Sequence, residues 1–237
     1  MAGKAGGRRG CPAETTDARR QAQAIPRSAG AGRLLAARLE AWRGREGCVV
    51  LGLPRGGVVL AAEVARALDL PLDVLLSRKL RAPGNPELAI GAICEGGEAN
   101  VFEEAPGTTP VDTGYLGREI AAQEAAIEER RRLFRGGRPL VLPDGADVIV
   151  VDDGIATGST VLAAIRALRR RRTGRVVVAT PVAPPEVARR LTGECDELVV
   201  LDTPEPFRAV GHFYEDFDQV SDDEVRALLA AEKRRSG

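Results

Sequence analysis

The stretch Asp152-Asp153-Gly154-Ile155-Ala156-Thr157-Gly158-Ser159-Thr160 holds two adjacent carboxylates and then a run of small residues with three hydroxyls. It follows the apolar run 147–151 and opens a segment, 159–170, with helical periodicity. Such a strand–loop–helix junction presents unpaired backbone amides and the positive end of a helix dipole, which together seat a phosphate. Small residues let a phosphate approach the backbone, and Thr157, Ser159 and Thr160 can donate hydroxyl hydrogen bonds. The two carboxylates must then serve something other than the phosphate: ribose hydroxyls, a cation, or both. Phosphate plus vicinal diol is a sugar phosphate. An acidic cap on an ordinary helix would explain one aspartate but not the whole string.

Two further junctions carry cationic groups. The apolar run 48–53 leads into Pro54-Arg55-Gly56-Gly57 and then a helical segment. A dinucleotide-binding turn would read GxGxxG, a pattern that Gly52-Leu53-Pro54-Arg55-Gly56-Gly57 fails, although Asp73 falls at the spacing of a ribose-binding acid. The run 72–76 ends in Ser77-Arg78-Lys79-Leu80-Arg81, followed by Ala82-Pro83-Gly84-Asn85-Pro86-Glu87. Alone, this reads equally as a solvated basic turn before a Gly/Pro-rich mobile stretch over 80–87.

The elements that must position these groups alternate. Strands are expected at 48–53, 72–76, 88–94, 147–151, 175–182 and 197–201, and helices at 57–68, 115–134, 159–170 and from Pro184-Pro185. Leu35, Leu39 and Trp42 share one face of an earlier helix, and Ser221 with Glu224 has capping-box spacing before a last one. Continuously apolar strands alternating with helices predict an α/β fold, a single domain with a mainly parallel central sheet flanked by helices. Ligands in such sheets bind beyond the carboxyl ends of the strands, where all three junctions fall. Residues 1–24, without large apolar side chains after Met1, are expected to be a disordered tail preceding one domain, 25–237.

The string from Asp152 to Thr160 closely resembles the phosphoribosyl-diphosphate (PRPP) signature of type I phosphoribosyltransferases. With GLPRGG, SRKL, PGNPELAIGAI, PVAPPE and the closing TPEPF and FYEDF segments, the resemblance runs from about Gly32 to Leu228 and is nearest to a poorly characterised bacterial group. It implies a Mg²⁺-dependent transfer of ribose 5-phosphate from PRPP to a nitrogenous, nucleobase-like acceptor, with release of diphosphate. By the same resemblance Asp152 and Asp153 hold the ribose hydroxyls, directly or through the metal. Ala156, Thr157, Gly158, Ser159 and Thr160 cradle the 5-phosphate. Arg55, Gly56 and Gly57 bind the diphosphate, and Arg78 and Lys79, joined by Arg81, serve the leaving group. Residues 80–87 stand where the family has a flexible loop that closes over the site.

Two departures from the family pattern bear on the acceptor. Many 6-oxopurine enzymes place an aspartate where this chain has Ala156, which argues against hypoxanthine and guanine. Gly154 stands where many members have an aliphatic residue. Phe207, Phe213, Tyr214 and Phe217 cluster around His212, either as a lid for a base or as packing against the core.

Composition narrows the partners. Hydrophobic residues make up 44% of 237 and charged residues 29%, enough for a core and far from a disordered chain. The 34 basic and 34 acidic residues cancel, so bulk charge points to neither nucleic acid nor a membrane surface. The basic run Arg169–Arg172 reads as a solvated helix end. No apolar run approaches the roughly 20 residues of a membrane span. One histidine and four scattered cysteines exclude a multi-histidine metal site and suit reduced thiols in a cytoplasmic protein. A non-catalytic PRPP-binding regulator and a homodimer, with the helix 115–134 meeting a partner subunit, both stay open.

Overall fold

The computed structural model describes residues 28–96, 99–101, 112–215 and 219–235; the expected tail, 1–24, lies outside them. In chain order the elements are α1 (Ser28–Arg38), β1 (Cys48–Gly52), α2 (Gly56–Leu68), β2 (Leu72–Val74), β3 (Ser77–Ala82), β4 (Asn85–Cys94) and β5 (Asn100–Val101). There follow α3 (Thr113–Arg135), β6 (Asp147–Val151), α4 (Ser159–Arg170), β7 (Val176–Val182), α5 (Pro185–Thr192), β8 (Glu197–Asp202) and α6 (Asp222–Arg235).

The continuously apolar runs become strands buried on both faces: all five positions of β1 and all seven of β7 are buried. They form a five-stranded parallel sheet in the order β2-β1-β6-β7-β8. Alternate residues serve opposite faces. Val49, Leu51, Val148, Val150, Val176 and Val178 pack with α4 and α5, while Val50, Ile149, Val151, Val177 and Ala179 pack with α1 and α2. Each such side chain, fully buried, contributes about 1.5–3 kcal/mol of transfer free energy. Leu35, Leu39 and Trp42 belong to the second of these cores, as their spacing predicts.

Register decides where the site forms. Gly52 pairs with Val151 and Val151 with Ala179, so β1 and β6 end level with each other. The Leu53 amide donates to the Val151 carbonyl at 2.9 Å and the Asp152 amide to the Ala179 carbonyl at 3.1 Å. The segments beginning at Leu53 and Asp152 therefore leave the sheet side by side.

The strand expected at 88–94 forms, as part of β4, but the sequence reading fails between residues 75 and 87. The second parallel strand stops at Val74, and Ser77–Ala82 and Asn85–Cys94 pair as an antiparallel hairpin that, with β5, makes a separate three-stranded sheet. The expected mobile stretch 80–87 is thus the two arms and the turn of this hairpin. Its basic residues hide a period of two. Leu80 and Ala82 are buried, with Ile90, Ile93, Ile127, Phe134, Val225 and Leu229 completing a third core, whereas Lys79 and Arg81 face outward. Only the Pro83-Gly84 connection, with Gly84 at φ +70°, behaves as the Gly/Pro content suggests.

Helices α3 and α6 close over this hairpin. Asp112 caps α3 by accepting from the Tyr115 amide at 2.9 Å. Ser221 and Glu224 make the reciprocal capping box of α6, with bonds of 3.2 Å and 2.7 Å. At the far end of α3, the buried Arg135 guanidinium pairs with the buried Glu95, which also accepts from the Leu140 amide at 3.2 Å. No helix among the described residues is long and apolar enough to cross a membrane.

Candidate functional site

Strand β6 delivers Asp152 and Asp153 at its carboxyl end, both partly buried. The Asp153 amide donates to Asp152 Oδ1 at 3.0 Å, which folds the first carboxylate back over the loop. Burial, then the charge of Asp153, pushes the Asp152 carboxyl well above the usual carboxylate range; Lys79 works in the opposite sense. Burial raises Asp153 as well. Two carboxylates held this close to one another and away from water are short of positive charge.

The loop after them enters α4 through Gly158, whose φ of +75° is the left-handed conformation that glycine adopts without steric cost. Thr157 Oγ1 lies 3.0 Å from Ser159 Oγ, and the Arg190 guanidinium, from α5, donates to the Thr157 carbonyl. Ala156 and Thr157 are exposed, while Gly158 and Ser159 are buried under the turn. The first amides of α4 have no partner within the helix and are available to an anion.

Glycines 56 and 57, at the start of α2, lie directly against the acid pair. A Cβ on Gly56 would fall within the Asp153 carboxylate, and one on Gly57 would sit 2.6 Å from the Val151 carbonyl. Part of the glycine requirement here is therefore set by helix–strand packing around Asp153. Between β1 and these glycines, the Pro54–Arg55 peptide is cis.

A cavity of about 380 Å³ opens beside this junction, lined by Pro54, Arg55, Ser77, Arg78, Lys79, Arg81, Gln123, Arg130 and Thr160, with Ala89. Five cationic side chains and no carboxylate line it. Burial, then the charges of Arg130 and Arg81, depresses the Arg78 guanidinium. Arg55, Lys79, Arg81 and Arg130 make no ion pair among the described residues. Cations assembled at this density favour a polyanionic ligand.

Helix α3 fixes part of the cavity wall. The buried Gln123 accepts from Arg78 Nε at 3.1 Å and donates to Glu119 Oε1 at 3.0 Å. The same Glu119 oxygen accepts from the Arg81 amide at 3.0 Å, and the Tyr115 hydroxyl donates to the Arg81 carbonyl at 3.0 Å. The guanidinium of Arg78 is thereby held by its Nε, leaving its two terminal nitrogens for the cavity.

A divalent cation fits the donors present in a limited way. Among the described residues no group of three His, Cys, Asp or Glu side chains could hold a metal. Two hard carboxylates short of counter-charge suit Mg²⁺, which commonly takes one or two protein carboxylates and completes its shell with water and substrate phosphate oxygens.

The structure gathers most of the sequence-derived residues. Arg55, Arg78, Lys79, Arg81 and Thr160 line one cavity, and Gly56 and Gly57 touch the acid pair. Ala156, Thr157, Gly158 and Ser159 form the adjoining loop outside the cavity lining. Sequence reasoning missed Gln123, Glu119 and Arg130, because a Glu/Arg-rich amphipathic helix reads as solvated. It also missed Arg190, and the reach of Tyr214 to the acid loop. Phe207, Phe213 and Tyr214 pack against the core rather than standing free as a lid, and Phe217 lies outside the described residues.

The family model of the phosphoribosyl transferase domain matches residues 21–202. The chain is 45% identical over 199 residues to the Mycobacterium tuberculosis protein named "Putative phosphoribosyl transferase Rv0571c". That match covers 84% of this chain and 45% of the relative, so the chain spans about half the length of the curated relatives it matches. The crystal structure of TT1426 from Thermus thermophilus is similar at 47% identity with a TM-score of 0.72, covering 86% of this chain and 96% of that one.

Proposed function

From the premise that this chain belongs to the phosphoribosyltransferase family, we propose that it transfers the ribose 5-phosphate group of PRPP to a nitrogenous, nucleobase-like acceptor and releases diphosphate. The observation that carries this reading is that Arg55, Arg78, Lys79, Arg81 and Arg130 line one cavity together with Thr160, at the start of α4, beside the acid pair. A ligand with an anion at each end of a diol matches that arrangement.

In the transfer, a nitrogen lone pair forms a bond to C1 of the ribose as the bond from C1 to the diphosphate oxygen breaks. Positive charge develops on the ribose and negative charge on the departing diphosphate. Fixed cations aimed at the second charge lower the barrier without having to reorganise. Arg55, Lys79, Arg78 and Arg130 take that role, with Arg78 held in place by Gln123. Asp152 and Asp153 hold the ribose hydroxyls, directly or through the metal, and the loop from Ala156 to Thr160 binds the 5-phosphate. Mg²⁺, when bound with PRPP, would neutralise diphosphate charge next to the two carboxylates. Arg81 contributes its charge at the rim of the cavity.

The acceptor is a base other than a 6-oxopurine, because Ala156 offers no carboxylate to a purine imidazole nitrogen. The protein acts in the cytoplasm on small molecules. Its described cysteines, Cys48, Cys94 and Cys195, are free, and burial pushes the Cys94 thiol up to about 12.

Calorimetric titration with PRPP, with and without Mg²⁺, followed by diphosphate-release assays on a panel of free bases, tests the proposal. Metal-dependent binding and release with one base is the expected outcome. Absence of PRPP binding would overturn it, and binding without release for any base would favour a non-catalytic sensor.

A further inference from the structure

The segment that follows β8 returns across the sheet and lies on the acid loop. It carries Phe207 and a short 3₁₀ turn, Val210–Phe213, and ends at Tyr214. Its aromatic residues anchor it: the Phe207 and Phe213 rings lie 5.1 Å apart, and both pack with the buried Tyr214 on the α1/α2 face of the sheet.

Two contacts join this strap to the acid pair. The Tyr214 hydroxyl donates to the Asp153 carbonyl at 2.6 Å. The Val210 side chain occupies the space beside Gly154 where a side chain would stand: a Cβ built on Gly154 would lie 2.7 Å from Val210 Cγ2 and closer still to Cγ1. Gly154 has an ordinary φ, so the exclusion of a side chain there comes from Val210 and not from the backbone conformation.

The loop needs such an anchor. Its backbone is tied to the sheet at the Asp152 amide, which donates to Ala179 at 3.1 Å, and at the Ile155 amide, which donates to Val182 at 2.9 Å. Between those points the Asp153 carbonyl is held by Tyr214. The Asp153 amide, in the preceding peptide on the other side of the Asp153 Cα, donates to the Asp152 carboxylate, so a shift of the Asp153 backbone reaches both carboxylates.

We infer that the strap is a positioning device for the acid pair: Val210 supplies across space the side chain that position 154 lacks, and Tyr214 holds the Asp153 carbonyl, fixing the backbone of the residue whose side chain is one carboxylate and whose amide holds the other. Tyr214 and Val210 are positioning residues, acting on PRPP through Asp152 and Asp153. The inference rests on the reading of the acid pair as a PRPP ribose and metal site.

The test is an exchange of the two side chains. PRPP affinity in the presence of Mg²⁺ is measured calorimetrically for the parent, Gly154→Val, Val210→Gly, the double variant and Tyr214→Phe, with folding checked by circular dichroism. Gly154→Val should lose about tenfold or more in affinity, and Val210→Gly in the same background should restore most of it, a coupling expected only of residues in direct contact. Tyr214→Phe keeps the ring and removes the hydrogen bond, and should weaken PRPP binding about three- to tenfold with a thermal midpoint close to the parent. If the two losses simply add, or if Tyr214→Phe binds PRPP like the parent, the positioning role is wrong while the PRPP reading stands. Should Gly154→Val fail to fold, Tyr214→Phe alone decides. A parent that binds no PRPP overturns the reading of the acid pair, and this inference with it.

Discussion

Arg78 Nε donates to Gln123 Oε1 at 3.1 Å, tying the basic arm of the hairpin to the middle of the longest helix. This bond engages Nε and leaves the two terminal guanidinium nitrogens for the cavity. Burial, then the charges of Arg130 and Arg81, depresses the Arg78 guanidinium. An anion bound among these cations would offset their mutual repulsion.

Gln123→Leu should therefore release Arg78 without emptying the core. A hydrogen bond to a charged group is worth about 1.5–3 kcal/mol, so kcat/KM for diphosphate release should fall about tenfold or more. The thermal midpoint should change little, since leucine fills nearly the same volume. Unchanged kcat/KM would show that Arg78 needs no such support.

Lys79 differs from its neighbour in that its charge reaches Asp152, where it opposes the upward shift caused by burial and by Asp153. Its side chain lines the same cavity as Arg55, Arg78 and Arg130. Lys79→Ala should lower kcat by about a hundredfold, the scale of removing one preorganised charge, while PRPP affinity changes several-fold at most. Steady-state kinetics alongside equilibrium titration separates the two. Equal losses in both would make Lys79 a binding residue only.

Arg130 extends the cationic wall beyond the residues that motif reading supplies. Arg130→Ala should weaken the binding of inorganic diphosphate about tenfold and reduce its dependence on ionic strength, as expected when one charge-assisted contact is lost. Isothermal titration at two salt concentrations measures both. A variant with parental affinity and parental salt dependence would place Arg130 outside the diphosphate site.

How much of this was legible in sequence follows from which forces were local. The strand ending in Asp152 and Asp153, the Gly158 turn and α4 are dictated by neighbours in the chain, and 147–151 and 159–170 match the structure residue for residue. The hairpin was misread because Leu80 and Ala82 alternate with charged residues over too few positions to outweigh the nearby Pro83-Gly84. Gln123, Arg130 and the bond from Tyr214 to the acid loop escaped notice for another reason. Their roles depend on which face of α3 meets the hairpin and on where the strap lands, both tertiary facts.

Gly56 tests whether packing or ligand approach governs the first turn of α2. A methyl group there would displace the Asp153 carboxylate, since the ideal Cβ position falls within it. Gly56→Ala should cost about 1–3 kcal/mol of stability, as overpacking does, and should lower PRPP affinity along with it. Adding Asp153→Ala to Gly56→Ala should recover the stability but not the affinity. Denaturant unfolding and PRPP titration on the three proteins distinguish the effects. A stable Gly56→Ala variant with parental affinity would mean that Asp153 can move freely.

Asp152 should trade stability for function. Its carboxyl is held above the usual range by burial and by Asp153, so the folded protein retains the proton to higher pH than the unfolded chain does. A group raised in this sense stabilises the fold below its unfolded value, and that contribution is lost as pH rises through the folded value. At pH 7 and above the acid pair is therefore a net burden on the fold. Asp152→Asn keeps the oxygen that accepts from the Asp153 amide and removes the charge. It should raise the thermal midpoint at pH 7–8 by a few degrees, where about 2–4 °C corresponds to 1 kcal/mol in a chain of this size. The gain should shrink toward pH 4, where the parent carboxyl is itself protonated. The same variant should lose Mg²⁺-dependent PRPP binding. Scanning calorimetry across pH on parent and variant measures the first effect, and a variant less stable than the parent at pH 8 would show that the carboxylate is already compensated in the unliganded protein.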